Sequence, residues 1–376
     1  MPEYDRFRIG LIGYGIGKLH TAAIRSAGLY YPELPPVDLV AVATTSEKSG
    51  KAAVEQYGFQ RYTTDYRELL NSDDINAVII APPHHLHREM LLAALQTDKA
   101  IYADKPLANN LAEAREIVAE ARKRNRNGQI CFNLRHSPAM AYAKKVIEAG
   151  RIGDIYAFRA VYYRPSYIDP EKPLRWKGSM KTSGGGVSND LVPHIADLVL
   201  WLIGKPARLT AQARTFIKER PVAKGSAERT PIDTDDHIII QAELPDGGIG
   251  TIESGRLITG SINDISIEIY GSEGSLRWSV TNPNYLYLAE KRMPSDERGW
   301  LAIPTFQNYP GAIVPGADIP VGEMRFYIDS MAQFIRKTVN HEPYDPDFVQ
   351  GFHVQSVIEA ALKASQTGTR VEVENE

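Results

Sequence analysis

From Phe7 to Phe132 short apolar runs alternate with amphipathic stretches, and this alternation constrains the chain more than any single motif does. Phe7 to Ile12, Leu39 to Ala43, Ala77 to Ala81, Ala100 to Ala103 and Gln129 to Phe132 have the length and composition of buried strands. Lys18 to Ala27, Lys48 to Tyr57, His87 to Leu95 and Leu111 to Asn125 read as helices between them. Strands joined through helices pair in parallel, because only a long crossover returns the chain to the same end of the sheet. A parallel sheet needs cover on both faces. The region is therefore expected to be a doubly wound α/β sheet that takes its ligand at the carboxyl ends of the strands.

The first of those ends carries GLIGYGIGKLH, Gly10 to His20, between a strand and a helix. Small residues there let the backbone approach a pyrophosphate, and the helix start offers free N–H groups and a positive dipole end. A strict GxGxxG is not present: counted from Gly13, the sixth position is Lys18. Either one residue is missing before Gly17 or a different residue takes the third place. In this strand-to-helix setting Gly13, Gly15, Ile16 and Gly17 are read as a dinucleotide-binding turn of Rossmann type. At the end of the second strand a carboxylate would hold the ribose 2′-hydroxyl of NAD. The chain has Thr44, Thr45 and Ser46 there, with Glu47 late, Lys48 nearby and Asp38 at the wrong end of the strand. Hydroxyls and an ammonium suit a 2′-phosphate, so NADP is favoured over NAD.

Two later strand ends fall on the same edge. APPHHLH, Ala81 to His87, brings Pro82, His84 and His87 to it as a polar loop lining the cofactor. No acidic or cysteine partner accompanies its histidines, so no metal is expected. ADKPL, Ala103 to Leu107, adds Asp104 and Lys105. Pro106 pins that turn and aims Lys105 into the crevice, where an ammonium stabilises a developing alkoxide; a cis bond fits the sequence. The alternative is an ordinary surface lysine in a turn.

After about residue 150 the pattern changes. Ile155 to Tyr163, Leu209 to Thr215, His237 to Leu244, Gly250 to Ser254, Ile265 to Gly271 and Gly274 to Trp278 are strand-like, with few helices among them. Residues 1–130 are thus expected to form the dinucleotide domain. Residues 131–376 form a substrate-binding and oligomerisation α+β domain on a large, mostly antiparallel open sheet. Runs such as HIIIQAEL and ISIEIYG place apolar residues on both faces, which implies a homodimer or homotetramer through that sheet. Residues 217 to 235 and 290 to 320 read as long loops, Met324 onward as helix, Asp347 to Ser365 as a terminal helix and Arg370 to Val373 as a last strand.

Within the second region lies GGGVSNDLVPHIADLVLWLIG, Gly184 to Gly204. Pro193 suits a first helical turn, which puts His194 in that turn, Asp197 one turn on and Asp190 just before the helix. A carboxylate near an imidazole orients it and biases its pKa, as a general base near neutral pH requires. Asp residues at helix starts also serve as caps, and that reading stands beside the catalytic one.

Composition narrows the partners. The 376 residues are 24% charged and 43% hydrophobic with a net charge of -3, which leaves no broad basic surface for nucleic acid. No apolar run approaches the roughly 20 residues of a membrane span, and the first strand begins almost at Met1, so a cytoplasmic protein without a signal peptide is expected. Cys131, the only cysteine, excludes an internal disulfide and reads as a buried structural thiol.

Together these segments resemble the Gfo/Idh/MocA oxidoreductases over nearly the whole chain. The resemblance rests on GYGIGKLH, on DKP at Asp104 to Pro106 where the family usually has EKP, on FNLRHSP at Phe132 to Pro138, on GRIGDI at Gly150 to Ile155 and on DLVPHIAD at Asp190 to Asp197. Val192 replaces the glycine of the family's DxGxH, and Trp176 is followed by Lys177 where the family often has Trp-Arg. The resemblance implies Lys105, Asp190 and His194 as the catalytic group and a sugar, polyol or related derivative as substrate. Asn133, Arg135, Tyr163 and Trp176 are candidate substrate contacts, with Tyr163 and Trp176 equally readable as core or interface residues. The implied reaction is hydride transfer between NADP or NAD and a hydroxyl or carbonyl carbon. Two alternatives are an NAD-dependent glycoside hydrolase working through transient oxidation and a non-catalytic dinucleotide or sugar sensor.

Overall fold

The computed structural model describes residues 4–375 apart from 307, 314, 315 and 317. The chain divides into two compact units. Met1–His136, Tyr309–Ala317 and Met324–Phe352 form the first, and Ser137–Asn308, Asp318–Glu323 and His353–Glu376 the second. The sequence suggests one cut after residue 130; the units interleave instead, because a C-terminal helix completes the core of the first.

In the first unit the elements run β1 (Phe7–Ile12), α1 (Gly17–Tyr30), β2 (Val37–Ala43), α2 (Glu47–Tyr57), β3 (Arg61–Thr63), α3 (Tyr66–Leu70), β4 (Ala77–Ile80), α4 (His87–Leu95), β5 (Ala100–Ala103), α5 (Leu111–Lys123) and β6 (Gln129–Ile130). The six strands lie in the order β3-β2-β1-β4-β5-β6, every pair parallel. Strand order therefore reverses between β1 and β4, which opens a crevice at their carboxyl ends. The expected doubly wound sheet is present with one strand and one helix more than the apolar runs indicate. β3 and α3 escape a pattern reading because β3 is a three-residue, half-exposed edge strand and α3 little more than one turn. Phe7, Ile9 and Leu11 of β1, Val42, Ile79 and Tyr102 meet Met331, Phe334 and Ile335 of the helix Glu323–Val339 in one buried cluster. Burial of each large side chain there contributes about 2 kcal/mol.

The second unit begins with α6 (Pro138–Glu148) and β7 (Ile155–Tyr163), followed by three helices: α7 (Met180–Ser183), α8 (Val187–Asp190) and α9 (Val192–Ile203). Then come β8 (Arg208–Arg214), β9 (Glu219–Pro221), β10 (Arg229–Pro231), β11 (His237–Glu243), β12 (Ile249–Gly255), β13 (Asp264–Gly271), β14 (Gly274–Ser279), β15 (Tyr285–Glu290) and β16 (Leu301–Pro304). The helix Glu323–Val339 is α10, Phe348–Thr367 is α11 and Val371–Glu372 is β17. Nine strands form one sheet in the order β16-β15-β14-β13-β7-β12-β11-β8-β17. Only β7 and β12 run parallel, so the sheet is mostly antiparallel as expected. The stretches read as loops hold the β9–β10 pair and β16, whose three- and four-residue strands are too short for an alternation to register.

Register puts Ile240, Ile252, Ala160, Ile267 and Trp278 in one row on one face, all buried. α9, apolar nearly all round, packs over β7 and β12. The opposite face is less apolar than HIIIQAEL and ISIEIYG suggest. Exposed Ile239 and Tyr270 share it with Arg159, Glu253, Glu268 and Arg277. Among the described residues no helix is long and apolar enough to cross a membrane.

Candidate functional site

The turn after β1 is shaped by three glycines in different ways. Gly13 takes φ +95°, and a Cβ built on it would lie 2.4 Å from the Ala81 carbonyl oxygen, so β1 and β4 approach too closely for a side chain. A Cβ on Gly15 would meet nothing within 4 Å, which leaves that backbone open to a ligand. Gly17 opens α1, and its Cβ would touch the Leu11 side chain at 3.0 Å. Close helix–strand packing of this kind is what the third glycine of a dinucleotide turn provides. Ile16, the residue before α1, is exposed and supplies no side-chain cap to its first turn.

At the end of β2 the hydroxyls already have structural work. Thr44 Oγ1 donates to Ser46 O at 2.8 Å, and Ser46 Oγ caps α2 by accepting from the Ser49 N–H at 3.3 Å. Thr45 and Lys48 are exposed.

The ends of β4 and β5 carry a buried polar network. Asp104 Oδ1 lies 3.1 Å from His20 Nε2. Burial raises the Asp104 pKa, yet the His20 hydrogen bond and the nearby positive charges outweigh it and hold the carboxyl down at about 2. Lys105 follows directly, its peptide to Pro106 cis. His87 is fully buried beneath the loop rather than lining it, with Nε2 3.0 Å from the Pro82 carbonyl oxygen, and burial pushes its pKa down toward the neutral imidazole. His84 is buried at its edge, ring centroids 5.9 Å apart.

His20, Asp104 and Cys131 bring ligand atoms within 4.8 Å of one another, a grouping that three distant segments make and no spacing announces. Burial drives the Cys131 thiol well above its ordinary range, which favours the protonated form over the thiolate a metal requires. Asn133 and Arg135 sit in a short 3₁₀ turn, Asn133–His136. Arg135 Nη1 donates to Asp345 Oδ1 at 2.8 Å, so its guanidinium braces the unit's own chain.

In the second unit, Gly184 ends α7 in the left-handed region at φ +67°, and Gly186 leads into α8, which carries Asp190. A Cβ on Gly186 would fall 1.8 Å from the Asp235 carbonyl oxygen. Asp235 grips the turn with its side chain as well: Oδ1 accepts from the Gly186 N–H (2.7 Å) and Ser188 Oγ (2.7 Å), and Oδ2 from the Ser188 N–H (2.8 Å). α9 starts at Val192 with Pro193 in its first turn and His194 directly after, as the proline implies. His194 is 8% exposed, Asp197 fully buried.

The tyrosine against His194 is Tyr162, ring centroids 5.7 Å apart, whereas Tyr163 points to the other face of β7 beside His237 at 6.1 Å. Strand alternation decides this, and a choice between adjacent tyrosines cannot be made before the buried face is known. Asp190 Oδ2 receives a hydrogen bond from Lys177 Nζ at 2.7 Å. Burial lowers the Lys177 pKa, but Asp190 more than reverses it, and the net shift is upward. Trp176 lies beside the same ammonium, its ring centre 5.4 Å from Nζ. Neither Asp235 nor Lys177 stands out in the sequence as a functional residue.

Residues 7–131 match the model of an oxidoreductase family with an NAD-binding Rossmann fold, and residues 140–277 match the GFO/IDH/MocA C-terminal domain. Levoglucosan dehydrogenase from Pseudarthrobacter phenanthrenivorans is 30% identical over 96% of this chain and 97% of its own. A 1,5-anhydro-D-fructose reductase from Ensifer adhaerens is 25% identical over 90% and 91%. Among solved structures, a levoglucosan dehydrogenase in complex with NADH and levoglucosan superposes with a TM-score of 0.93 at 29% identity, covering 98% of this chain and 100% of that one. An oxidoreductase domain protein from Kribbella flavida gives 0.92 at 31%, with the same coverage.

Proposed function

The chain belongs to the GFO/IDH/MocA family of NAD-binding oxidoreductases, and from that premise we propose that its substrate is a sugar, anhydrosugar or polyol oxidised at one hydroxyl carbon. The observation that carries this reading is the likeness, along almost the whole chain, to a dehydrogenase solved with NADH and levoglucosan. The open backbone at Gly15, between the close packing at Gly13 and Gly17, fits the dinucleotide. When bound, the dinucleotide accepts or returns the hydride at nicotinamide C4.

This chain's own residues take the remaining roles. His194 accepts the hydroxyl proton as general base. Lys105 stabilises the alkoxide that develops, in a turn anchored through the Asp104–His20 bond. Asp190 is an ionised acceptor for a neighbouring hydroxyl, and Asn133 and Trp176 add contacts. Arg135 and Tyr163 fit a structural role better, because Asp345 occupies the first and the second belongs to the outward face of β7. No metal enters the reading.

Two finer points belong with it. The β2 end supports NADP(H) by charge, with exposed Thr45 and Lys48 beside the capping Ser46, while the neighbour's NADH complex supports NAD(H). The outward face of the nine-stranded sheet suits self-association as a homodimer or homotetramer, through Ile239, Tyr270 and the charged rows between them.

The test is the stoichiometric appearance of reduced dinucleotide, followed by absorbance, when the protein meets NAD or NADP with levoglucosan, 1,5-anhydrohexitols and inositols. Net reduction supports a dehydrogenase and identifies the cofactor. Product formation without net reduction indicates transient oxidation during hydrolysis. Dinucleotide binding without turnover of any sugar or polyol overturns the substrate class.

A further inference from the structure

Lys177 reaches Asp190 from a scaffold gathered around one short segment. The 3₁₀ turn Arg175–Gly178 carries Lys177, and the segment just before β11 holds that turn from below. Thr234 Oγ1 donates to the Lys177 carbonyl oxygen at 3.0 Å, and the Asp233 side chain accepts from the Met180 N–H at 2.7 Å. One residue further on, Asp235 pins the glycine turn that leads to Asp190. Four successive residues, Asp233 to Asp236, thus seat both partners of the Lys177–Asp190 pair, and Asp236 anchors the segment itself by accepting from Arg256 Nε at 2.8 Å. A surface ion pair between long side chains is normally mobile and worth little. Here both partners are three-quarters or nearly so shielded, with side-chain exposures of 29% and 24%, and both backbones are tied to one strand start.

We propose that Lys177 is a positioning residue for the reaction, holding Asp190 as a fixed, ionised acceptor so that His194 alone exchanges protons there. The inference rests on the dehydrogenase reading above. Its logic is one of charge. A carboxylate near a buried imidazole can take a proton itself, and once neutral it no longer orients a hydroxyl or stabilises an imidazolium. A cation at 2.7 Å opposes that protonation. Among the described residues, Arg164 and Tyr167 act on Lys177, and Tyr162, which feels Asp190, also faces Arg164, Glu323 and the His194 ring. The Asp235 carboxylate is committed to Gly186 and Ser188, and the Asp236 carboxylate to Arg256. Lys177 is a cation in direct contact with Asp190, at 2.7 Å.

The experiment is the pH profile of kcat/KM for K177Q and K177R against the parent, with NADH affinity measured alongside by fluorescence. An opposite charge within about 4–6 Å shifts a carboxylate by about 1–3 pH units. Removing it therefore raises the pH at which Asp190 protonates. K177Q is expected to lose roughly ten-fold or more at acidic pH and progressively less as pH rises, with NADH affinity unchanged and K177R restoring most of the loss. A loss equal at all pH values, or none, overturns the inference. Should K177Q fail to fold, D190N/K177Q is compared with D190N: equal activities support action through Asp190, and a further ten-fold loss overturns it. Absence of turnover by the parent protein with every sugar and polyol is a failure of the functional reading, and is distinguished from these outcomes by that control.

Discussion

Two glycine turns lead into helices in this molecule, and one is kept open while the other is packed solid. At Gly15 an added Cβ would meet nothing within 4 Å; at Gly186 it would strike the Asp235 backbone at 1.8 Å. The first turn leaves its backbone open, as the proposed dinucleotide site requires. The second has glycine because another part of the chain comes close. In the second unit the packed glycine anchors the turn into α8, the helix that ends at Asp190.

The largest effects should come from the side chains proposed to carry the chemistry. His194→Ala and Lys105→Met are each expected to lower kcat by roughly 10²–10⁴-fold with dinucleotide affinity retained, read from steady-state rates and a fluorescence titration. Wild-type rates in either variant would detach that residue from the chemistry.

A pair of substitutions separates the two turns. Gly186→Ala should destabilise the fold by about 3 kcal/mol, seen as a lowered urea midpoint. Gly15→Ala should leave that midpoint nearly unchanged and weaken NADH binding roughly ten-fold. The reverse pattern would mean that the open turn is the structural one.

Asp235→Ala probes the packed turn from its other side. It leaves the Gly186 and Ser188 N–H groups without their buried acceptor, at about 1–3 kcal/mol for each. Urea unfolding should report the sum, and kcat should fall with it because the Asp190 helix is displaced.

The smallest effect concerns acid stability of the first unit. The folded-state pKa of Asp104 lies at about 2, below its ordinary value of 3.8. Its contribution is therefore full above that ordinary value and is lost as pH falls toward about 2. His20→Ala should move the acid-unfolding midpoint upward by a few tenths of a pH unit, and an unchanged midpoint would show that the pair is not coupled to folding.

Much of the first unit was legible because its signals are local. Strand, glycine turn and helix follow one another within Phe7 to Tyr30, so periodicity and turn chemistry agree without help from distant residues. Pro193 likewise announced the start of α9 and with it the place of His194. What sequence reasoning missed has in each case a long-range cause. α10 completes the first unit's core some 200 residues after its last strand. Tyr162 rather than Tyr163 lies against His194 because strand alternation sends the two tyrosines to opposite faces, and α9 packs on the face of Tyr162. Arg135, chosen as a substrate contact, is taken by Asp345, which is 210 residues away. Lys177 was noted only as a departure from Trp-Arg, since nothing local says that it meets Asp190.

The order of apolar runs, the glycine turn and the proline before His194 by themselves determined a parallel dinucleotide sheet, a mostly antiparallel second sheet and the neighbourhood of the candidate catalytic residues. Helix and strand periods and turn residues act over a few positions, and a chain carries that information wherever it is read. Which partner each of three carboxylates meets depends on the tertiary fold. Asp104 is paired with His20, Asp190 with Lys177 and Asp235 with a glycine turn through contacts that exist only once burial has removed water and brought distant segments within hydrogen-bond reach.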